Sequence, residues 1–541
     1  MKAPAVRLAA LTLVLVACAN NPPAQPRPVA IQLLDVSDWH AQLDPLSVGS
    51  GSAAYQVGGA ATLSAYFTRD RAGNPNTLTL TAGDAYGASP PLSGFFGEVP
   101  AVQAMNVMGF DADTFGNHNF DRGTAFLQNL IGAAHFQYVS ANLENLAGNL
   151  TNVKPYTIFT VGGVKVAVVG ITNPEAPTLV APGAFGTLQV ADPVTAANTA
   201  RAAAKAEGAQ VFVAVTHLGV TGQDAAGTPS GPVIDFAKNV SGFDVIFGDH
   251  TNVQYGGTVG NALVVENLSK GASYAKVNVT FDLTGNRVLT RAHTFVEPRA
   301  DGVTPDPAVE QVLAPYRAQL ASQLDGKIGV ATAVFPRGGN AERLGEVALG
   351  DLIADALRAR YGTQLAIENG GNIRASLPSS YAPQDKTLRR PDPGYQAGPP
   401  YDLVAGDVYS VLPFGNAVVT RVVTGAQLRA VLENSVSALP AASGRFLQVS
   451  GFSFRYDASK PVGSRVVSVT LDGDAPILQD ATTYTLAVNE FTNGGGDEYT
   501  MLADGQGTSR ELEAQVVQAY IQQQGTVTPT VGQRIQAVGG N

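Results

Sequence analysis

From residue 30 to about residue 300 one arrangement keeps returning: a short β-branched or aliphatic run breaks within a few residues into a polar cluster. "VAIQLLDVSDWH" (29–40), "NTLTLTAGDAYG" (76–87), "AQVFVAVTHLG" (209–219) and "FDVIFGDHTN" (243–252) all have it. Helix-like stretches lie between them, such as "AVQAMNVMGF" (101–110) and "PVTAANTARAAAKAEG" (193–208). Strands alternating with helices predict an α/β fold. In such sheets ligands collect at the carboxyl ends of strands, where loops converge on one crevice. At 541 residues the chain is too long for one hydrophobic core, so two domains are expected.

The clusters hold four of the six histidines: His40, His118, His217 and His250. His118 sits in "TFGNHNFDRG" (114–123), after the apolar stretch Phe110–Phe115. A single Asp-x-His is ordinarily a polar turn. Five clusters of one layout, carrying only Asp, His and Asn, point instead to a metal site. With no cysteine among them, the ions are of the hard or borderline divalent kind, Zn, Mn, Co or Fe. Two such ions about 3.5–4 Å apart, bridged by a carboxylate, form the usual arrangement for hydrolysing phosphate esters. The formal net charge of −10 argues against a nucleic-acid partner. A small phosphate ester remains compatible with it, given metals or a few arginines to reverse the field locally.

The N-terminus reads as an export signal. Lys2 and Arg7 precede "LAALTLVLVA" (8–17), an apolar run too short to span a bilayer. "LVAC" (15–18) resembles a bacterial lipobox, which places cleavage after residue 17 and a lipid anchor on Cys18, the only cysteine in the chain. The Pro-rich tether to residue 28 would then join the membrane to the folded body. The expected location is exported, periplasmic or cell-surface.

Taken in order, the clusters resemble the motifs of the 5′-nucleotidase family, in particular the bacterial periplasmic UDP-sugar hydrolase/5′-nucleotidase type. "SDWHA", "AGDAYGASP", "GNHNFD", "VTHLG" and "GDHTN" stand where that family has Asn-Asp-x-His-Gly, its Gly-Asp motif, Gly-Asn-His-Glu-Phe-Asp, Ser-His-Leu-Gly and Gly-Gly-His-Thr-His/Gln. The resemblance implies a calcineurin-like metallophosphoesterase domain over 29–300, a four-layer αββα sandwich. A connecting helix over 301–329 and an α/β nucleotide-recognition domain over 330–541 would follow. It implies that Asp38, His40 and Asn252 hold one divalent ion, that Asn117, His217 and His250 hold the other, and that Asp84 bridges them. His118, oriented and kept protonated by Asp121, would stabilise charge building on the phosphoryl oxygens. The chain departs from the pattern at Asn119, Asp249 and Asn252, the last with a shorter side chain than the family's His or Gln.

In the second half, "DPAVEQVLAPYRAQLASQLDGKIG" (306–329) has apolar residues at helical spacing, with Asp306 as N-cap and Pro315 as an expected kink. "GEVALGDLIADALRARYG" (345–362) predicts another helix, stopped by Gly362. "AERLGE", "ENGGNIR", "VLPFGN" and "NEFTNGGGDEY" resemble the family's nucleotide-binding loops. Carried over by position, Arg343, Asn369 and Arg374 would hold phosphate-side and ribose-side oxygens. Phe414 and Phe491 would sandwich the base, Asn416 would reach its edge and Asp497 would bind the ribose hydroxyls. Asn372 and Glu498 replace glycines of the pattern. The implied reaction is hydrolysis of a nucleoside 5′-monophosphate to nucleoside and phosphate, by in-line attack of metal-activated water. UDP-sugar pyrophosphatase and 2′,3′-cyclic nucleotide phosphodiesterase/3′-nucleotidase activities are alternatives on the same site. A lipoprotein that binds nucleotides without hydrolysing them is the non-enzymatic one. Base preference, oligomeric state and the membrane that would carry the anchor are not legible.

Overall fold

Successive residues of the strand Pro28–Asp35 enter different cores. Ile31 and Leu33 are buried with Val166, Val168, Val213 and Val215, whereas Leu34 is buried with Leu63, Phe67 and Met105. The strand Val211–Thr216 divides in the same way, Val213 joining the first of these clusters and Phe212 and Ala214 packing on Ala197, Ala200 and Ile234. With a side-chain period of two, strands apolar on both faces need a layer on each side. The computed structural model, which describes residues 1, 27–48, 55–224, 227–472, 475–477 and 481–538, supplies them: two sheets face to face, helices outside both.

The first sheet runs Arg287–Val296, Tyr274–Asp282, Pro28–Asp35, Thr77–Leu80, Ala112–Asp113, Gln137–Val139, Val153–Lys154. The second runs Tyr255–Val259, Ala262–Glu266, Val245–Phe247, Val211–Thr216, Val164–Ile171, Tyr156–Val161. Their central strands are parallel. Helices Ala60–Gly73 and Val99–Met108 cover one outer face, and Pro193–Ala206 and Pro232–Asn239 the other. The fold is the four-layer αββα sandwich.

Helix Pro307–Leu324 is capped by Asp306, whose side chain accepts from the Ala308 N–H. Pro315 lies inside this helix without ending it. Val309, Leu313, Leu320 and Leu324 are buried, and the helix packs on Ala60–Gly73 and Val99–Met108. It stops at Leu324, five residues short of the stretch expected from sequence, because Lys327–Ala331 is taken up as a strand between Tyr401–Val404 and Thr526–Val527. Beyond it, a five-stranded sheet has the order Leu447–Ser450, Leu365–Asn369, Thr483–Asn489, Ala417–Thr424, Thr508–Leu512. Helix Ala348–Tyr361 packs on this sheet and ends at Gly362, left-handed at φ 61°. The apolar run 8–17, Cys18 and the tether up to residue 26 lie outside the described residues. Among those described, no helix is long and apolar enough to cross a membrane.

Candidate active site

Each polar cluster of the first half follows a strand. Asp38 and His40 come after Pro28–Asp35, Asp84 after Thr77–Leu80, and Asn117 and His118 after Ala112–Asp113. From the facing sheet come His217, directly after Val211–Thr216, and His250 and Asn252, after Val245–Phe247. The crevice is therefore built from the carboxyl ends of parallel strands in two sheets.

These loops bring carboxylate and imidazole atoms together. Asp84 Oδ2 lies 3.1 Å from His217 Nε2, which is itself 3.1 Å from His250 Nδ1. Asp38 Oδ1 lies 3.7 Å from His40 Nε2. Asp84, His217 and His250 form one group able to hold a cation, and Asp38, His40 and Asp84 another, so that Asp84 is common to both. His40 Nδ1 faces the Gly87 carbonyl at 2.8 Å, which puts its hydrogen there and leaves the Nε2 lone pair free. Burial, then the neighbouring His217, pushes His250 down to about 3, and burial takes His40 well below the usual imidazole value. Neutral rings are what ligation requires. Asn117 Oδ1 is buried with no hydrogen-bond partner among the described residues, an acceptor left over for a cation. Asn252 lines the same cavity but is exposed, left-handed at φ 59°. This donor set fits two divalent ions.

Two departures from the sequence pattern acquire partners. Asp249 Oδ2 accepts from the Asp38 N–H at 3.1 Å and faces His217 Nδ1 at 3.3 Å, so it turns the other nitrogen of that ring toward Asp84. Asn119 Oδ1 accepts from the Gly116 N–H (2.8 Å) and the Asp84 N–H (3.3 Å), joining two of the loops. Gly116 is required there by space, since a Cβ would come 2.1 Å from Asp84 Oδ1.

His118 is held at both ends. Its N–H donates to Asp84 Oδ1 at 2.9 Å, and its Nδ1 meets Asp121 Oδ2 at 2.9 Å. Its ring stacks on Phe414 of the second half, centroids 5.7 Å apart. A continuous cavity of about 510 Å³ runs from Asp38, Asp84 and His118 to Arg343, Asn369, Arg374, Phe414, Asn416, Phe491 and Asp497. Of the fourteen sequence-derived ion, phosphate and nucleoside residues other than Asp121 and His118, only His217 is absent from the wall; it is fully buried behind Asp84. Asn369 donates to Asp497 Oδ2 at 2.8 Å, and the Phe491 ring lies against Gly496, where a Cβ would be 2.4 Å from it.

Sequence reasoning missed Arg337 and Lys270, which line the same cavity. Lys270 Nζ crosses from the first half to donate to the Arg374 carbonyl at 3.0 Å. Burial, then Arg343 and Arg337, pushes Arg374 down to about 9, and burial, then Arg337 and Arg374, pushes Lys270 down to about 7. Three arginines, two of them paired with the buried Glu342, and a lysine that a bound anion would keep charged are crowded at one wall and make a site that favours an anion. Neither residue lay in a recognisable motif; only the folded arrangement reveals them.

Residues 327–504 match the family described as 5′-nucleotidase, C-terminal domain. Snake venom 5′-nucleotidase of Gloydius brevicauda is 29% identical over 93% of this chain and 88% of its own length. Endonuclease YhcR of Bacillus subtilis is also 29% identical, over 86% of this chain, and the trifunctional nucleotide phosphoesterase protein YfkN of the same organism is 28% identical over 79%. The chain spans only 37% and 30% of those two longer proteins. Among solved structures, a 5′-nucleotidase precursor from Thermus thermophilus superposes with a TM-score of 0.81 at 28% identity, covering 95% of this chain and all of that one. The second half of the chain thus matches the C-terminal domain of the 5′-nucleotidases, and the whole chain is similar end to end to a solved 5′-nucleotidase precursor.

Proposed function

We propose that the protein hydrolyses nucleoside 5′-monophosphates to nucleoside and phosphate. One observation carries the reading: a single cavity joins the Asp/His/Asn cluster to the two phenylalanines, with His118 stacked on Phe414 between them. Asp38, His40 and Asn252 would hold one divalent ion, Asn117, His217 and His250 the other, with Asp84 shared. Such ions supply charge neutralisation at the phosphoryl oxygens and acidify water. Arg343 and Arg374 fix the phosphate through charge-assisted hydrogen bonds. His118, its Nδ1 held by Asp121, turns Nε2 to the phosphate and donates to the oxygen on which charge builds. Phe414 and Phe491 stack the base, and Asp497, steadied by Asn369, accepts from the ribose hydroxyls. We take the sequence 29–300 as the phosphoesterase domain, 301–329 as the connector and 330–541 as the nucleoside-recognition domain.

The test is phosphate release from AMP after EDTA treatment and re-addition of Mn²⁺, Co²⁺ or Zn²⁺. Release should require metal, and His118→Ala should lower kcat by ~10²–10³. Metal-independent release, or a His118→Ala enzyme of undiminished kcat, would overturn the mechanism. UDP-glucose and 2′,3′-cyclic AMP assayed in parallel rank the alternative substrates.

The same reading places the protein outside the cytoplasm, tethered by a lipid on Cys18. Relatives named as a snake venom 5′-nucleotidase and as a cell wall protein of Listeria monocytogenes support export. Cys18→Ser should abolish palmitate labelling and release the protein from membranes; continued membrane association would sink the anchor.

A further inference from the structure

Beneath the nucleoside end of the cavity lies a buried acidic pair that neither the ion cluster nor the phosphate site uses. Glu368 is 0% and Glu513 2% exposed. Burial, then the Glu368 carboxylate, pushes Glu513 well above the usual range, so Glu513 keeps its proton and shares it with Glu368. Between them stands Asn372, whose Nδ2 donates to Glu368 Oε1 at 2.7 Å and to Glu513 Oε2 at 2.6 Å. Both amide hydrogens are thus committed. A flipped amide would set its carbonyl against two acidic oxygens, so Asn372 Oδ1 is fixed away from the pair. It faces Asn416, whose Nδ2 lies 3.4 Å away, and both residues line the cavity.

The cluster also reaches each aromatic wall. On one side the Glu513 N–H donates to the carbonyl of Asn416, two residues past Phe414, at 2.9 Å. On the other, Asn489 Nδ2 donates to Glu368 Oε2 at 3.1 Å. Asn489 Oδ1 in turn accepts from the Thr492 N–H at 2.8 Å and caps the short helix Glu490–Asn493 that carries Phe491. A floor so connected holds a carbonyl acceptor, and the amide donor hydrogen-bonded to it, on the wall of the cavity that Phe414 and Phe491 also line.

We propose that Asn372 is a specificity-determining residue for the base. Its fixed Oδ1 beside Asn416 Nδ2 selects an edge that places an amino group next to an unprotonated ring nitrogen, as adenine and cytosine do. Hypoxanthine and uracil present a carbonyl next to an N–H, the reverse order, and set oxygen against oxygen. This rests on the nucleoside 5′-monophosphate reading and narrows it to amino-bearing bases.

The experiment compares kcat/KM of the metal-loaded protein for AMP against IMP and for CMP against UMP, with p-nitrophenyl phosphate, which has no base, normalising for folded, loaded enzyme. Wild type should prefer the amino member of each pair by at least ~10-fold, since a mismatched edge leaves buried polar groups unpaired. Asn372→Gly should bring both ratios to within about twofold, removing the penalty just described. Glu513→Gln should keep the preference, because a carboxamide there can donate to Glu368 and accept from Asn372. Equal turnover of AMP and IMP by active wild type overturns the inference, as does an Asn372→Gly enzyme with undiminished preference. Absence of turnover of all five compounds with every metal sinks the phosphohydrolase reading itself, and this inference with it.

Discussion

Five of the seven residues assigned to the ions (Asp38, His40, Asp84, His250 and Asn252) have backbone φ between 43° and 82°. For residues with a Cβ each such conformation costs about 1–3 kcal/mol and persists only where the surroundings impose it. Asp249 is part of those surroundings. From sequence it reads only as an added charge; in the fold its carboxylate spans the Asp38 N–H and His217 Nδ1. Asp249→Asn preserves the volume but replaces the carboxyl group that faces His217 Nδ1. It should weaken divalent-ion affinity by ~10–100-fold, read as metal retained after dialysis against graded chelator by mass spectrometry. Unchanged retention would mean that packing alone orients His217.

At the level of elements, the sequence is legible where periodicity and punctuation agree. The parallel strands and the polar clusters at their carboxyl ends could be read because β-branched runs break abruptly at Asp38, Asp84, His217 and His250. Helix Ala348–Tyr361 could be read because its apolar face ends at Gly362, whose φ of 61° is the left-handed stop that glycine accommodates. A proline such as Pro315 leaves one carbonyl of the preceding turn without its donor, yet Leu313 and Leu320 on either side are both buried, and the helix continues through it. The edges of the site were not legible, because they depend on which loops meet across a distance. Lys270 stands 104 residues from Arg374, and no spacing rule links a loop after one sheet to a turn in another half of the chain. Asn372 was visible as a departure from a glycine pattern, but its meaning required Glu513, which comes 141 residues later.

Across the whole molecule, the site exists only because its two halves close on one cavity. The first half supplies the carboxylates and imidazoles, the second the guanidinium groups and the aromatic rings, and His118 on Phe414 and Lys270 on Arg374 are two of the direct contacts between them. These two contacts differ in kind. In the proposed reaction His118 would face the phosphate, so its loss should fall on the chemical step. Lys270 joins Arg374 to the first half at the wall that would receive the phosphate, and in that place it would act equally in the ground and transition states. Uniform binding of that sort lowers KM without raising kcat. Lys270→Met, which keeps the apolar stem, should therefore raise KM for AMP by about tenfold through loss of its charge and of its hold on Arg374, with kcat within about twofold of wild type. Steady-state kinetics at saturating metal decides between the outcomes. A fall in kcat at unchanged KM would move Lys270 from substrate binding into the chemistry, and an unaltered KM together with unaltered kcat would remove it from the site.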